Sequence, residues 1–238
     1  MILDIHSHIL PGLDDGAKDY NESLELLSMM KKQGVDVVVA TPHLDPSKPT
    51  AEQKRERVIC AYNELCSRAE GRRLPDIFLG YELVFYYGIA EKPNLADYTI
   101  AGTDKILLEL PFGRMTDRIV SELEEIAFTR KLTPVLAHLE RYTKYEGIEK
   151  IYDAIYSGIA QAQVSADTIK GFWDRRNIGK LLKKDIFTYL GSDAHSVNLR
   201  PPMMDSFLKF AKKRHQYFYT QMLGANRKLY KDMKKPTA

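Results

Sequence analysis

The chain has 238 residues, 44% of them apolar, and a formal net charge of +3. That length admits one barrel-sized domain or two small ones, with enough apolar material for a large core. No apolar run approaches the ~18 residues of a membrane span, the N-terminus lacks a basic leader pattern, and Cys60 and Cys66 are too few for a disulfide framework. A cytoplasmic protein with free thiols, not an integral membrane protein, is expected.

The charge is unevenly spread. Between Lys209 and Lys235, nine Lys or Arg stand against one acid, Asp232, so the rest of the chain is net acidic. An acidic body suits a carboxylate-lined cation site and argues against nucleic acid as a partner. The basic C-terminal stretch, about 203–238, reads as a helical tail able to meet an acidic partner or an anionic membrane.

Ile2, Leu3 and Ile5 make a short apolar run typical of a buried strand. His6 and His8 follow at i, i+2, so both imidazoles leave one face of it. Pro11-Gly12 and Asp14-Asp15-Gly16 are turn signals that can return a carboxylate toward them. Asp19-x-x-Glu22 is a capping-box pattern opening a helix that runs to Gly34. Residues 35–40 are a β-branched strand that Pro42 stops, leaving His43 at its exit. Thr50-x-x-Gln53 opens a second helix, to about Glu70. Residues 77–82 form a third strand ending in Glu82, whereas 86–102 carry Gly, Pro and Asn punctuation and no clear period.

Residues 106–111 are a fourth strand bearing Glu109, followed by an amphipathic helix over about 116–130. A fifth strand, 133–137, ends in His138-Leu139-Glu140-Arg141. A helix at 148–156, a weaker strand at 160–164 and a helix at 169–182 lead to a strand at 186–190, which ends in Gly191-Ser192-Asp193-Ala194-His195. Arg200-Pro201-Pro202 then starts the last helical region. Seven strands alternating with helices imply a parallel α/β sheet, and that number in one chain favours a TIM-like (β/α) barrel, closed or nearly so, in a single domain.

In such barrels chemistry gathers where the strands end. Those ends carry His6, His8, His43, Glu82, Glu109, His138, Asp193 and His195, with Asp15 in the first loop, and five of the six histidines fall there. Nine imidazole and carboxylate groups exceed the needs of one tetrahedral ion. With bridging carboxylates they suit two or three ions, and a nitrogen and oxygen donor set without thiolate suits Mn²⁺, Fe or Zn²⁺. Arg141 and Arg200 lie just beyond two of these ends, where paired N–H donors could hold a phosphoryl group.

These motifs, from Asp4-Ile-His-Ser-His through Thr41-Pro-His43, Gly80-Tyr-Glu82-Leu, Ala137-His138-Leu-Glu-Arg141 and Ser192-Asp193-Ala-His195 to Arg200-Pro-Pro, resemble the PHP (polymerase and histidinol phosphatase) superfamily. More narrowly, they resemble the bacterial metal-dependent protein-tyrosine phosphatases of capsule and exopolysaccharide operons. The resemblance implies a distorted seven-stranded PHP-type barrel with three divalent ions, Mn first among them. One ion would be held by His6, His8, Glu82 and Asp193, a second by Glu82, Glu109 and His138, and a third by Asp15, His43 and His195. It assigns Arg141 and Arg200 to the substrate phosphate, and implies hydrolysis of phosphotyrosine by a metal-activated hydroxide. The implied protein substrate is the tyrosine-rich tail of a membrane-associated autokinase.

Two alternatives share these residues: a histidinol-phosphate phosphatase, and a non-catalytic, metal-stabilised module that docks a kinase through the basic tail. The second leaves the two arginines unexplained. Cys66 to Arg72 also fits C-x5-R, the pattern of cysteine-dependent phosphatases. Cys66, however, falls near the end of a helix, where the dipole disfavours a thiolate.

Overall fold

Buried aliphatic strands alternate with amphipathic helices along residues 1–235, the part of the chain that the computed structural model describes. The strands are β1 (Leu3–Ser7), β2 (Val37–Ala40), β3 (His43–Leu44), β4 (Asp76–Leu79), β5 (Glu82–Val84), β6 (Lys105–Glu109), β7 (Thr133–Leu136), β8 (Gln161–Ser165) and β9 (Tyr189–Gly191). The helices are α1 (Tyr20–Lys32), α2 (Ala51–Ala69), α3 (Asp117–Phe128), α4 (Ile148–Tyr156), α5 (Phe172–Leu182), α6 (Met204–Arg214) and α7 (Gln216–Asp232). Every strand pair is parallel, in a three-stranded set ordered β1-β2-β4 and a six-stranded set ordered β3-β5-β6-β7-β8-β9. The result is a curled parallel sheet in an α/β fold.

The expected strand at 77–82 is broken in two, and the one at 35–40 ends as expected but is followed by a second short strand. Pro42 has no N–H for a ladder, so β2 and β3 separate there, and Gly80-Tyr81 separates β4 from β5. Hydrogen bonds cross both breaks: Gly80 N donates to Ala40 O at 2.9 Å and Glu82 N to Pro42 O at 3.2 Å. At the other side β1 meets the chain after β9 through a Ser7–Ala194 bridge, with Asp193 N donating to His6 O at 2.8 Å and His8 N to Ala194 O at 2.9 Å.

The helix signals hold in part. Asp19 caps α1 by accepting from Glu22 N at 2.9 Å, but the Glu22 carboxylate turns to Lys18 N at 3.1 Å, so the box is not reciprocal. Thr50 makes no side-chain cap on α2. The unreadable stretch after β5 holds three short 3₁₀ turns. β9 is shorter than expected, because Asp185 takes a left-handed φ of 56° and the chain reaches ladder geometry only at Tyr189.

Side-chain alternation gives the sheet two apolar faces. Val38, Ala40, Leu108, Ala162, Val164 and Leu190 pack with helix residues such as Leu26, Leu27 and Ile126 in the larger cluster. Val37, Val39, Leu107, Val135 and Tyr189 join Leu3 and Ile5 in a smaller, enclosed one, where Leu229 of α7 also packs. Toward the strand ends this enclosed face changes from apolar to polar, with Glu82, His138, Gln163 and Ser165 all buried.

β9 can approach β1 only because residue 191 lacks a side chain. A methyl group there would stand 2.6 Å from His6 Cβ and 2.8 Å from Gln163 Nε2. Gly191→Ala should cost about 1–3 kcal/mol by overpacking, read as a lower Tm. Gly224→Ala, on an exposed turn of α7 with nothing within 4 Å, should instead raise Tm through helix propensity. An unchanged Tm in Gly191→Ala would show that the contact is relieved without cost.

Candidate metal centre

β1 sets the first two imidazoles. Its register against β2 runs Leu3 to Val37, Asp4 to Val38 and Ser7 to Ala40, so β1 carries one extra residue in between. Such a bulge re-aims a strand. It lets Leu3 and Ile5 stay in the enclosed apolar set while His6 and His8 both turn into the polar end of that face. Two other cluster residues sit on left-handed backbone, His138 at φ 35° and Asp193 at φ 51°. Strained positions of this kind persist where surrounding contacts hold them, and here His138 N donates to Gln163 Oε1 at 2.8 Å.

The nine nominated side chains come together in one cluster, with Glu82 at its middle. Glu82 Oε2 lies 3.2 Å from Nε2 of both His6 and His8 and 2.9 Å from His43 Nδ1, while Oε1 lies 2.9 Å from His138 Nε2. His138 Nε2 is also 3.6 Å from Glu109 Oε1. Asp193 Oδ1 lies 3.7, 3.5 and 3.6 Å from His6, His8 and His195. Asp15 Oδ1 stands 3.5 Å from His43 Nε2 and 3.4 Å from His195 Nε2.

Among the described residues, three sets offer ligand atoms within 4.8 Å of one another: His8, Asp15, His43 and His195; His6, His8 and Asp193; His43, Glu82 and Glu109. This grouping shares His8 and His43 between sets, where the family resemblance shares Glu82. Arg141 and Arg200 are about one-third exposed at the rim, and both donate to Asp193 Oδ2, Arg200 at 2.6 Å. Arg200 Nη1 also lies 2.9 Å from His195 Nε2. Each guanidinium has further N–H donors beyond these contacts.

The donors are arranged for cations. Gln163 Oε1 can only accept, so His6 Nδ1, 3.1 Å away, carries the proton; His8 Nδ1 likewise donates to Asp14 Oδ2 at 2.9 Å. Were both rings neutral, two Nε2 lone pairs would face each other at 3.1 Å. Beside them Glu82 Oε2 is buried without a hydrogen-bond partner. Three electron-rich atoms converging away from water need a positive charge between them.

The proton equilibria carry the same demand. Burial disfavours charge on His8, but the Asp14 and Glu82 carboxylates outweigh it and raise that imidazole to about 10. Burial likewise opposes charge on His6, which Glu82 and Asp193 raise. Burial also opposes the Glu82 carboxylate, yet His6, His138 and His43 hold it well below its ordinary range. His195 goes the other way: burial, His8 and Arg200 lower it to about 4, keeping its ring neutral. A divalent ion can supply the charge that protons otherwise bring.

Sequence reasoning passed over three supporting residues. Gln163, on the weakest of the expected strands, is fully buried and binds both His6 and the His138 backbone. Asp14 holds His8 and accepts from His43 N at 2.9 Å. Asp4 is fully buried, accepts from Ser192 N at 2.7 Å, and is raised by burial to about 6. Asp14 and Asp4 stood inside recognised motifs. Only the period-2 alternation of Ala162 and Val164 against Gln163 could have pointed to the third. Cys66 lies in the last turns of α2, with its thiol raised by burial, the opposite of an activated nucleophile.

Three comparisons bear on this geometry. A tyrosine-protein phosphatase CpsB of Streptococcus agalactiae serotype III is 28% identical over 235 residues, covering 92% of this chain and 96% of its own. The fold matches that in crystal structures of YwqE from Bacillus subtilis and CpsB from Streptococcus pneumoniae, described as metal-dependent tyrosine phosphatases, with TM-score 0.82, 24% identity and full coverage of both chains. Histidinol phosphate phosphatase from Lactococcus lactis, solved with zinc, L-histidinol and phosphate, matches at TM-score 0.57 and 13% identity over 94% of this chain and 93% of its own. Residues 2–228 match the family described as capsular polysaccharide synthesis, CpsB/CapC, and the chain belongs to that family.

Proposed function

We propose that the chain is a metal-dependent protein-tyrosine phosphatase of capsular or exopolysaccharide synthesis, working in the cytoplasm on the tyrosine-rich tail of a membrane-associated autokinase. The observation that carries this reading is the convergence of nine imidazole and carboxylate side chains, with His6 and His8 Nε2 atoms opposed beside Glu82 and two arginines at the rim. We read the curled sheet as a distorted seven-stranded barrel of one domain, in which each broken strand counts once. The cluster is read as a site for three divalent ions, Mn²⁺ first among them, with Glu82 shared between two. His6, His8 and Asp193 complete one position, Glu109 and His138 the second, and Asp15, His43 and His195 the third. Among the described residues no helix is long and apolar enough to cross a membrane.

Divalent ions bound there supply Lewis acidity and acidify water from a pKa of ~15.7 to about 7. The remaining work falls to the protein. Arg141 and Arg200 hold the phosphoryl oxygens and neutralise charge as the ester bond breaks, with Asp193 fixing both guanidinium groups in place. A phenolate with pKa ~10 leaves without a strong proton donor. Phe112, 61% exposed, stacks on Tyr142 at 5.3 Å and 12°, and Tyr142 stacks on the His138 ring at 6.0 Å and 16°. Tyr142 and His138 are buried, so the stack presents the exposed Phe112 ring outward, a surface that fits an aryl ester better than an alkyl one.

The reading is tested by following hydrolysis of a phosphotyrosine peptide, p-nitrophenyl phosphate and histidinol phosphate on protein of known metal content. Chelation should abolish turnover of the first two and Mn²⁺ should restore it, while Cys66→Ser keeps close to parent activity. Preference for histidinol phosphate, or loss of activity in Cys66→Ser at unchanged metal content, would overturn it.

Glu82→Ala should lose more than one ion per chain by elemental analysis, because two cations would lose their shared counter-charge. Full metal occupancy in that variant excludes the bridging role.

Arg200→Ala should lower kcat about a hundredfold or more, the equivalent of ~2.7–4 kcal/mol for a lost transition-state contact. Arg200→Lys should recover only part of it, since a point charge lacks the forked donor geometry. Competitive inhibition by inorganic phosphate should weaken in parallel. Unchanged inhibition and turnover in both variants would remove the arginine from the phosphate site.

A further inference from the structure

Away from the cluster, α5 and the end of α6 enclose a groove of about 700 Å³. Its lining includes Phe172, Arg176, Gly179 and Lys183, one face of α5 at helical spacing, together with Arg175 and Lys180 beside them. Phe210, Arg214 and His215 close the other side. The two walls meet closely at Gly179, where a methyl group would stand 3.1 Å from His215 Nε2. Five cationic side chains line the groove and no acid does. Among the described residues no carboxylate oxygen lies within 4.0 Å of any of the five. Arg175 Nε donates to Ile169 O at 3.1 Å, and the Arg176 guanidinium sits 5.8 Å from the Trp173 ring.

At the mouth, Phe172 is 74% exposed and Trp173 67% exposed, packed edge to face at 5.6 Å. These are large apolar surfaces to leave in water. They lie at the start of α5, just past the 3₁₀ turn that follows β8, and so on the end of the sheet that carries the metal-ligand cluster.

We propose that this groove is a docking site for an anionic phospholipid surface, with Arg175, Arg176, Lys180, Lys183 and Arg214 against the headgroups and Phe172 and Trp173 in the interface. Charge complementarity selects the occupant. Five unpaired cations beside exposed aromatic rings are the composition of an interfacial membrane site. A face docked in this way would hold the cluster end of the sheet close to the bilayer, within reach of membrane-proximal phosphoproteins. The inference rests on the groove and stands apart from the phosphatase reading.

Trp173 is the single tryptophan of the chain, so its emission reports directly on the groove mouth. The full-length protein is mixed with vesicles of phosphatidylglycerol and phosphatidylcholine, and separately with pure phosphatidylcholine. The anionic vesicles should co-sediment the protein and shift Trp173 emission to the blue, in a salt-sensitive way; the neutral ones should do neither. Each cation removed should weaken binding about fivefold, so Arg176→Glu with Lys180→Glu should abolish co-sedimentation. Phe172→Ala should weaken it while leaving the Trp173 probe in place. Parent-like melting temperature and metal content in these variants establish that they fold. Equal binding to neutral vesicles, no binding to anionic ones, or full binding by the charge-reversed variant overturns the proposal. So does an emission shift produced by an acidic phosphotyrosine peptide but not by vesicles, which would make the groove a peptide site.

Discussion

Glu82 bears a negative charge where only 1% of its surface reaches water. Its tolerance there depends on the imidazoles of His6, His8, His43 and His138, which come from three separate strand ends and all lie within 3.2 Å of its oxygens. A buried carboxylate without such company would cost several kcal/mol in desolvation. The same neighbours are too electron-rich to satisfy one another once their outer nitrogens are committed to Gln163 and Asp14. Burial and hydrogen bonding together thus make a site that must take up positive charge.

The fold serves this arrangement by bringing the two ends of the sheet together. Asp4 spans the gap between β1 and β9 through its bond to Ser192 N, and Gly191 removes the side chain that would push His6 aside. Asp193 then enters from the far side on left-handed backbone and collects both arginines on its outer oxygen. One carboxylate consequently faces the imidazoles with Oδ1 and the two rim arginines with Oδ2, so the cluster and the rim are held by a single side chain.

The aromatic stack and the basic groove extend the chemistry outward from that centre. Tyr142 donates its hydroxyl to Leu110 O at 2.7 Å, which pins the ring between His138 and Phe112 and ties the β6 and β7 loops together. Beside it on the same sheet end, the chain leaving β8 enters α5 and exposes Phe172 and Trp173. The first is proposed to meet the substrate ester and the second an anionic bilayer. The groove shares no residue with the cluster, and the stack shares only His138.

Much of this was legible before folding. Alternation of apolar strands with 3.6-period helices is a local property, and so are the Pro, Gly and Asp signals that end each element. They located seven strand regions, and they put every metal-ligand candidate at a strand end or in the first loop. Family resemblance supplied a partition of those residues among ions, while the three-dimensional groups share His8 and His43 instead. What sequence could not carry was register. The extra residue in β1, the break at Gly80-Tyr81, the late start of β9 and the inward aim of Gln163 all depend on how distant strands align. His6 and Gln163 are separated by 157 positions yet share a hydrogen bond, and a contact of that range is chosen by sheet curvature and close packing, not by any local preference. Residue types at strand ends therefore followed from the sequence, whereas the atoms that face one another were decided by the tertiary structure.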